Sequence, residues 1–163
     1  DAYLELTAAT NMQQRLRTLH AYTAAESRNY AVLGTANRLE HELGFFVRGG
    51  DGLADVQPLA HLYKTQVWAL AEHLGVPEAI VKATPSTETY SLPQTQEEFF
   101  FALPLQQLDL VLWAHDHGIA DDRMAAALRL DATQVRRVRD DIEHKRRTAA
   151  RLHRPPLRLE ATE

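Results

Sequence analysis

Apolar residues recur at helical spacing along most of this chain, and one short segment has the pattern of a buried strand. Residues 11–28 carry an apolar stripe of helical period, formed by Met12, Leu16 and Leu19, and residues 61–74 carry a clearer one. Between them the run YAVL, from Tyr30 to Leu33, is continuously apolar and precedes a glycine, which is typical of a strand buried on both faces. With a further short helix expected before residue 44, this order predicts an α/β architecture for the first half.

The second half has helical signals and no strand signal. Glycine is placed to end the short helix over residues 37–43 and the helix over residues 61–74. Residues 84–95 hold two prolines, two serines and four threonines, which predicts a loop. Helices are expected over three further ranges: 105–117, 121–130 and 132–152. The sequence RPP should then end helical structure at Arg154.

Composition narrows the class of protein. The 163 residues are 45% hydrophobic and 25% charged, which suits one globular domain of ordinary size. No apolar run approaches the roughly 18 residues of a membrane helix, and the start DAYLELTAAT lacks the basic and apolar blocks of a secretion signal. The chain has no cysteine, which excludes disulfides and thiolate chemistry. We therefore expect a cytoplasmic protein without a membrane partner.

The net charge of −4 hides an asymmetry along the chain. Residues 123–158 hold eleven basic and four acidic residues, whereas the remainder holds seven basic and 18 acidic ones. Such a basic segment usually contacts an anion or the chain's own acidic part. One alternative is a DNA-binding regulator, because RMAAALRLDATQVRRVRDDIEHKRR resembles a helix-turn-helix with an arginine-rich second helix. The acidic remainder would repel phosphates, so we expect no nucleic-acid partner.

Polar groups follow the predicted strand, at the place where open α/β sheets bind ligands. Gly34 would admit a ligand close to the backbone and Thr35 offers a hydroxyl. Glu40 follows about one helical turn later, where a carboxylate could hold Mg²⁺ beside substrate phosphates. Lys64 falls in the first turn of its helix, where the dipole disfavours a lysine and a bound phosphate would favour it. A turn threonine, a solvated glutamate and an ill-placed lysine explain the same residues equally simply.

The loop FFVRGGDGLADVQPL, residues 45–59, concentrates charge around glycines. It holds Arg48, three of the chain's seven glycines, and the two aspartates Asp51 and Asp55. A surface turn needs glycine but needs neither an arginine nor two carboxylates. The composition therefore indicates a binding loop, although charged surface loops are common.

Together these motifs resemble a known family. The run VLGTANRLEHELGFFVRGGDGLADVQPLAHLYKTQVWALAEHLGVPEAIVKATPS resembles NAD synthetase, a member of the ATP-pyrophosphatase group of amide-forming enzymes. The similarity continues through NMQQRLR upstream and through QTQEEF, EHKRR and RPP downstream, so it covers nearly the whole chain. Another ATP-pyrophosphatase amide ligase is the second alternative.

The resemblance implies a Rossmann-like α/β fold and a two-step reaction that ends NAD biosynthesis. The carboxylate of deamido-NAD (nicotinic acid adenine dinucleotide) attacks the α-phosphate of ATP, and Mg²⁺ helps pyrophosphate to leave. Ammonia, either free or released from glutamine, then converts the acyl-adenylate to NAD and AMP. The resemblance also implies a homodimer with the dinucleotide site near its interface.

The resemblance further implies a role for each matching residue. Thr35, Lys64 and Ser86 match ATP contacts, and Glu40 matches the magnesium ligand. Asp51 matches the catalytic aspartate near which ammonia should arrive. The deamido-NAD contacts come from several parts of the chain: Arg15, Arg48, Asp55, His144 and Lys145.

The chain departs from the family pattern in three ways. Leu53 stands where a glycine is frequent, and Arg48 stands where lysine is frequent, which changes the donor geometry. The SGGxDS loop that binds pyrophosphate in these enzymes does not occur, and the only adjacent glycines are Gly49 and Gly50. We therefore expect residues 1–163 to be the C-terminal part of one NAD synthetase domain, with few strands. By itself this chain is expected to form no NAD.

Overall fold

The computed structural model describes residues 1–87, 95–101 and 103–158. The eight helices in these ranges are α1 Ala2–Glu26, α2 Arg38–Leu43, α3 Lys64–His73, α4 Glu78–Val81, α5 Gln96–Phe99, α6 Leu105–Asp116, α7 Asp121–Leu128 and α8 Ala132–Leu152. None of the described helices has the length and apolar character needed to cross a membrane.

The helices expected in both halves are confirmed, most of them with ends shifted by a few residues. Helix α8 has the expected bounds of 132–152, and its N-cap Asp131 accepts a hydrogen bond from the Gln134 N–H at 2.8 Å. Helix α2 ends as expected at Gly44, whose φ of 78° lies in the left-handed region that favours glycine. Local capping signals therefore fixed these helix ends well.

Helix α1 is longer than expected and is largely exposed. It begins at Ala2 and not at Asn11, because the Asp1 carboxylate accepts a hydrogen bond from the Tyr3 N–H and caps the helix. The side chains of its apolar stripe are 43 to 61% exposed: Met12, Leu16 and Leu19. The stripe therefore marks a helix face that the described residues do not cover.

The strand expected over Tyr30 to Leu33 is not formed. Leu33 makes one isolated parallel bridge to Val56, where the Gly34 N–H donates to the Val56 carbonyl at 2.8 Å. Burial is also absent, since Tyr30 is 70% and Leu33 is 64% exposed. A strand buried on both faces needs a pairing strand on each side. Within the described ranges the segment pairs on one side only, so the prediction of a buried strand is wrong. The mostly helical second half and the scarcity of strands are as expected.

The core lies between α2, α6, α7 and α8, and α3 packs against α6. The largest fully buried side chains come from α2, α6 and α8: Leu39, Leu108, Val111, Leu112, Val135 and Ile142. The helices that carry the candidate site are therefore held by ordinary apolar packing.

An ion-pair cluster joins three of these helices at the edge of the core. Arg38 of α2 pairs with Glu42 at 2.5 Å and with Asp116 of α6 at 2.8 Å. Arg146 of α8 pairs with the same two carboxylates, at 2.7 Å for Asp116. The four side chains are 20 to 28% exposed. Part of the basic segment is therefore bound to the chain's own acidic residues, which was one of the two expectations for it.

Candidate active site

The Glu40 carboxylate is fixed at the start of α2 by a reciprocal pair of hydrogen bonds. The Asn37 N–H donates to Glu40 Oε2 at 2.8 Å, and the Glu40 N–H donates to Asn37 Oδ1 at 3.2 Å. This capping box locks both side chains, and Asn37 is only 3% exposed. Thr35 is exposed and lies two residues before the cap. The motif GTANRLE therefore folds into a turn followed by a rigidly capped helix.

Asp51 and Lys64 both lie within electrostatic reach of Glu40, and we call these three residues the charged cluster. Burial raises the pKa of Glu40; the Asp51 charge raises it further, and the Lys64 charge lowers it. Partial desolvation also raises the pKa of Asp51, although the residue as a whole is exposed. A nearby cation such as the Lys64 ammonium favours the ionised form of a carboxylate. The Glu40 carboxylate thus responds to the charges of two other predicted site residues, Asp51 and Lys64, which come from separate segments.

The carboxylate oxygens of the charged cluster suit a magnesium ion that would also bind phosphate. Mg²⁺ takes oxygen ligands and is usually held by one or two carboxylates, several waters and phosphate. Across residues 1–87, 95–101 and 103–158, no group of three or more His, Cys, Asp or Glu side chains could hold a metal. Glu40 could serve as a direct ligand, with Asp51 adding negative charge nearby. The metal would then bind together with ATP.

Lys64 is the first residue of α3, where the sequence placed it. The N-cap residue Tyr63 provides no side-chain hydrogen bond to the helix. Asp109 of α6 caps it instead, and its carboxylate accepts the Lys64 N–H at 3.3 Å and the Thr65 N–H at 2.7 Å. The Lys64 ammonium lies 5.8 Å from the centre of the Trp68 ring. The first two backbone N–H groups of α3 are already bonded to Asp109. A phosphate near the start of α3 would therefore bind the Lys64 ammonium and not these N–H groups.

The loop of residues 45–59 depends on glycine at one position. A Cβ atom at Gly52 would lie 2.2 Å from the Phe46 ring, so only glycine lets the loop pass so close to that ring. Leu53, in contrast, is 48% exposed. Among the described non-glycine residues, positive φ occurs only at Asn29 and Arg129, so Leu53 has an ordinary backbone conformation. Leucine at this departure from the family pattern therefore causes no backbone strain.

Two of the predicted dinucleotide contacts meet in what we call the basic corner, formed by Arg15, Arg48 and Arg154. Arg15 Nε of α1 donates to the Arg48 carbonyl at 3.3 Å, and the Arg48 guanidinium donates to the Arg154 carbonyl at 2.9 Å. Both Arg15 and Arg48 are exposed. The corner thus joins α1, the glycine-rich loop and the segment after α8.

Asp55 connects α1 to the segment before α2. Its carboxylate accepts the Val32 N–H at 2.8 Å and the Tyr22 hydroxyl at 3.4 Å. Burial and the Asp55 charge together raise the pKa of the Tyr22 hydroxyl. In this structure the Asp55 carboxylate therefore has a structural partner on each side, and its role toward a ligand stays a prediction.

Helix α8 carries the predicted contacts His144 and Lys145, and the contacts of Lys145 lie on α8 and near α5. Lys145 Nζ donates to Asp141 at 2.6 Å and to the Phe100 carbonyl at 2.5 Å, and it lies 4.4 Å from the Phe100 ring centre. His144 is exposed. None of the hydrogen bonds, ion pairs or ring contacts in the described ranges links either residue to Glu40. Their assignment to the dinucleotide stays a prediction.

Ser86 lies at the edge of the described part of the chain. It forms an isolated antiparallel bridge with Thr95 and is exposed. The loop predicted over residues 84–95 lies partly outside the described residues, at 88–94. The predicted ATP contact of Ser86 is therefore untested.

Sequence reasoning missed two residues that build the site. Asn37 fixes Glu40, and Asp109 caps the helix that carries Lys64. The signal for Asn37 was available, since asparagine followed three residues later by glutamate is a capping pattern. The signal for Asp109 was an aspartate on the apolar face of α6, between Leu108 and Leu112.

Comparison with solved structures defines the class of protein. The structure of NMN synthetase from Francisella tularensis matches this chain with a TM-score of 0.75 and 28% sequence identity. The match covers 96% of this chain and 58% of that one. The chain therefore shares the fold of a synthetase that makes a nicotinamide nucleotide.

Sequence comparison then gives the family. The family model described as NAD synthase matches residues 1–149. NH(3)-dependent NAD(+) synthetases of Mesorhizobium japonicum and Rhizobium meliloti are 54% identical over 156 residues and 52% identical over 161 residues. The chain belongs to the NAD synthase family. Because the matched region contains α7 and most of α8, these helices belong to this fold, and the helix-turn-helix alternative is set aside.

The matched regions cover nearly all of this chain but only about half of each relative. They include 96% and 99% of this chain but 49% and 48% of the two relatives. The chain thus spans about half the length of the curated relatives it matches.

Proposed function

We propose that this chain forms the C-terminal part of an NAD synthase domain, which amidates deamido-NAD with ATP and ammonia. The observation that supports it is the charged cluster: the capped Glu40 carboxylate is electrostatically coupled to Asp51 and Lys64, which come from separate segments of a chain of this family. An ATP-dependent ligase needs cationic groups for phosphate and oxygen ligands for Mg²⁺ at one place. The cluster supplies both.

The first step joins the carboxylate of deamido-NAD to ATP. A carboxylate oxygen forms a bond to the α-phosphorus while the bond from that phosphorus to the bridging oxygen breaks, and pyrophosphate leaves. Lys64 neutralises phosphate charge in this step, and the capped Glu40 carboxylate would hold Mg²⁺. Mg²⁺, when bound, would stabilise the charge that develops on the leaving pyrophosphate.

The second step replaces the adenylate by nitrogen. Ammonia attacks the acyl carbon, AMP leaves with the bonding electrons, and the new amide nitrogen gives up a proton. Asp51, the second carboxylate of the charged cluster, is the residue that we assign to this proton, because its carboxylate accepts the Val47 N–H at 2.8 Å and is fixed by this bond. The carboxylate would accept hydrogen bonds from the incoming amine before it accepts the proton.

The dinucleotide is assigned to the other predicted contacts. The exposed guanidinium groups of Arg15 and Arg48 in the basic corner suit its two phosphates. Asp55, His144 and Lys145 complete the proposed contacts, and Thr35 and Ser86 contact ATP. A cytoplasmic homodimer with the dinucleotide near its interface is part of this proposal.

A second candidate is amidation of the mononucleotide, because the structural neighbour is an NMN synthetase. The same charged cluster would serve, and nicotinic acid mononucleotide would replace deamido-NAD. The two candidates differ in whether the site accepts the additional adenylate half of the dinucleotide.

The test is product formation by the protein that the complete gene encodes, followed by mass spectrometry. Each nicotinate nucleotide is supplied with ATP, Mg²⁺ and either ammonia or glutamine. We expect NAD and AMP in equal amounts from deamido-NAD, and no NAD from residues 1–163 alone. NMN formation without NAD would favour the second candidate. A folded protein that binds ATP and makes neither product would refute both.

A further inference from the structure

Helix α6 carries a carboxylate where its neighbours are core side chains. Asp109 is 4% exposed and shares a helix face with three leucines that are each 2% exposed or less: Leu105, Leu108 and Leu112. Burial raises the pKa of Asp109, while hydrogen bonds from Thr65 and Lys64 and the Lys64 charge act in the opposite direction. A carboxylate in such surroundings costs free energy unless specific partners offset the loss of water.

The partners of Asp109 all belong to the start of α3. Its two oxygens accept the N–H groups of Lys64 and Thr65 at 3.3 and 2.7 Å. Helix starts are ordinarily capped by a serine, threonine, aspartate or asparagine at the N-cap, which costs no buried charge. Here Gln66 accepts the N–H of the N-cap Tyr63 at 2.9 Å, whereas the Lys64 and Thr65 N–H groups are capped by Asp109 from another helix. Asp109 therefore holds the backbone of Lys64, the residue that supplies the positive charge of the charged cluster.

We propose that Asp109 is a positioning residue that holds Lys64 in place to meet the phosphates of ATP. The proposal rests on the function proposed above for the charged cluster. By fixing the Lys64 backbone to α6, Asp109 limits the space that the ammonium can reach. That space contains the Trp68 ring, 5.8 Å from Nζ, and the neighbourhood of Glu40. Without the cap the first turn of α3 would fray and the ammonium would sample positions away from the phosphates.

A purely structural helix cap is the competing explanation, and a second cap of the same kind gives the control. Glu97 accepts the Leu105 N–H at 2.8 Å and so caps α6 from outside that helix. Among the described residues, no hydrogen bond or ion pair joins Glu97 to Glu40, Asp51 or Lys64. If Asp109 and Glu97 were structural caps only, the amide variant of each would lower stability. Neither variant would then change the affinity for phosphate.

The experiment compares Asp109→Asn with Glu97→Gln in the protein that the complete gene encodes, at a temperature where both are folded. Binding of MgATP and of adenosine is measured by calorimetry, together with the KM for each substrate. We expect Asp109→Asn to bind MgATP about ten-fold more weakly, with adenosine affinity and the KM for deamido-NAD unchanged. Glu97→Gln should bind MgATP like the unmodified protein. Unchanged MgATP affinity in Asp109→Asn, or equal losses for MgATP and adenosine, would overturn the proposal.

A second variant covers the case in which Asp109→Asn does not fold. Asp109→Glu keeps the charge and displaces it by one methylene, so it should lose MgATP affinity while adenosine affinity is kept. Unmodified MgATP affinity in Asp109→Glu would overturn the proposal as well. Absence of NAD formation by the unmodified protein would instead refute the proposed function, because the nucleotide-binding comparison needs no turnover.

Discussion

Helices α1 and α8 are the longest in the described part of the chain, yet they are stabilised in different ways. Both begin at an aspartate that caps the first turn, Asp1 in α1 and Asp131 in α8. Helix α8 buries Val135, Val138 and Ile142 against the core, whereas the buried residues of α1 are two threonines. Local capping signals are therefore present in both helices, but within the described residues only α8 is fixed by apolar tertiary packing.

The same difference separates the two ends of the proposed site. Glu40 is on α2, which packs against α8, and Lys64 is on α3, which packs against α6. Arg15 stands on the exposed α1 and reaches the rest of the chain through the Arg48 carbonyl. The ATP end is therefore built on the core, and the dinucleotide end depends partly on a helix with little apolar burial.

Truncation of a buried side chain should give the largest effect. Ile142→Ala in α8 removes a side chain with no exposure and should lower the free energy of unfolding by about 3 kcal/mol. Leu19→Ala in α1, where the side chain is 61% exposed, should cost less than about 0.5 kcal/mol. Urea denaturation of both variants measures the difference. Similar losses would show that α1 is packed as firmly as α8.

Removal of the central ion-pair partner should give the next effect. Arg146→Gln leaves Arg38 as the only cation of the cluster that pairs with Glu42 and Asp116. It should lower the free energy of unfolding by about 2 kcal/mol, a value between those for exposed and buried ion pairs. The control is Arg136→Gln, an exposed position on the same helix, which should change stability little. Equal effects of the two variants in urea denaturation would contradict the role of the ion-pair cluster.

The smallest effect concerns pH. Burial alone would raise the pKa of Asp116, but the Arg146 hydrogen bond and the Arg146 and Arg38 charges bring it below the ordinary value of 3.8. The folded state therefore releases this proton more readily, so the stabilisation is present above pH 3.8 and is lost as the pH falls below it. Asp116→Asn should thus be less stable than the unmodified chain near neutral pH, by about 1 kcal/mol.

Denaturation at pH 6 and at pH 3 tests this sign. The difference between the unmodified chain and Asp116→Asn should shrink toward zero at the lower pH. Glu40, Asp51 and Asp109 have raised pKa values and contribute the opposite trend, but they are present in both proteins and largely cancel. A difference that grows on acidification would contradict the assignment.

Local features of this structure could be predicted from the sequence. The bounds of α8, the glycine that ends α2 and the place of Lys64 at a helix start all follow from capping and periodicity within a few residues. The resemblance to the family assigned separate roles to Glu40, Asp51 and Lys64, and those roles stay predictions. Without that resemblance, the sequence pattern could not distinguish a binding role for Glu40 and Lys64 from a solvated glutamate and an ill-placed lysine.

Long-range features could not be predicted. Tyr30 and Leu33 have the composition of a buried strand, but burial depends on neighbouring strands, and sequence pattern does not say whether they are present. The cap that Asp109 gives to α3 joins residues far apart in sequence, so no local rule finds it. Lys145 was assigned to the dinucleotide, yet here it bonds the Phe100 carbonyl, a contact that helical periodicity cannot reveal.

The most direct test of the account is the kinetic effect of Lys64→Gln in the protein that the complete gene encodes. Its control is Lys82→Gln, at a lysine that is 73% exposed and pairs with Glu78. We expect Lys64→Gln to lower kcat/KM for ATP by about 100-fold, because a charge contact to phosphate is lost, and Lys82→Gln to have no effect. If Lys64→Gln and Lys82→Gln used ATP equally well, the charged cluster would not be the phosphate-binding end of the site.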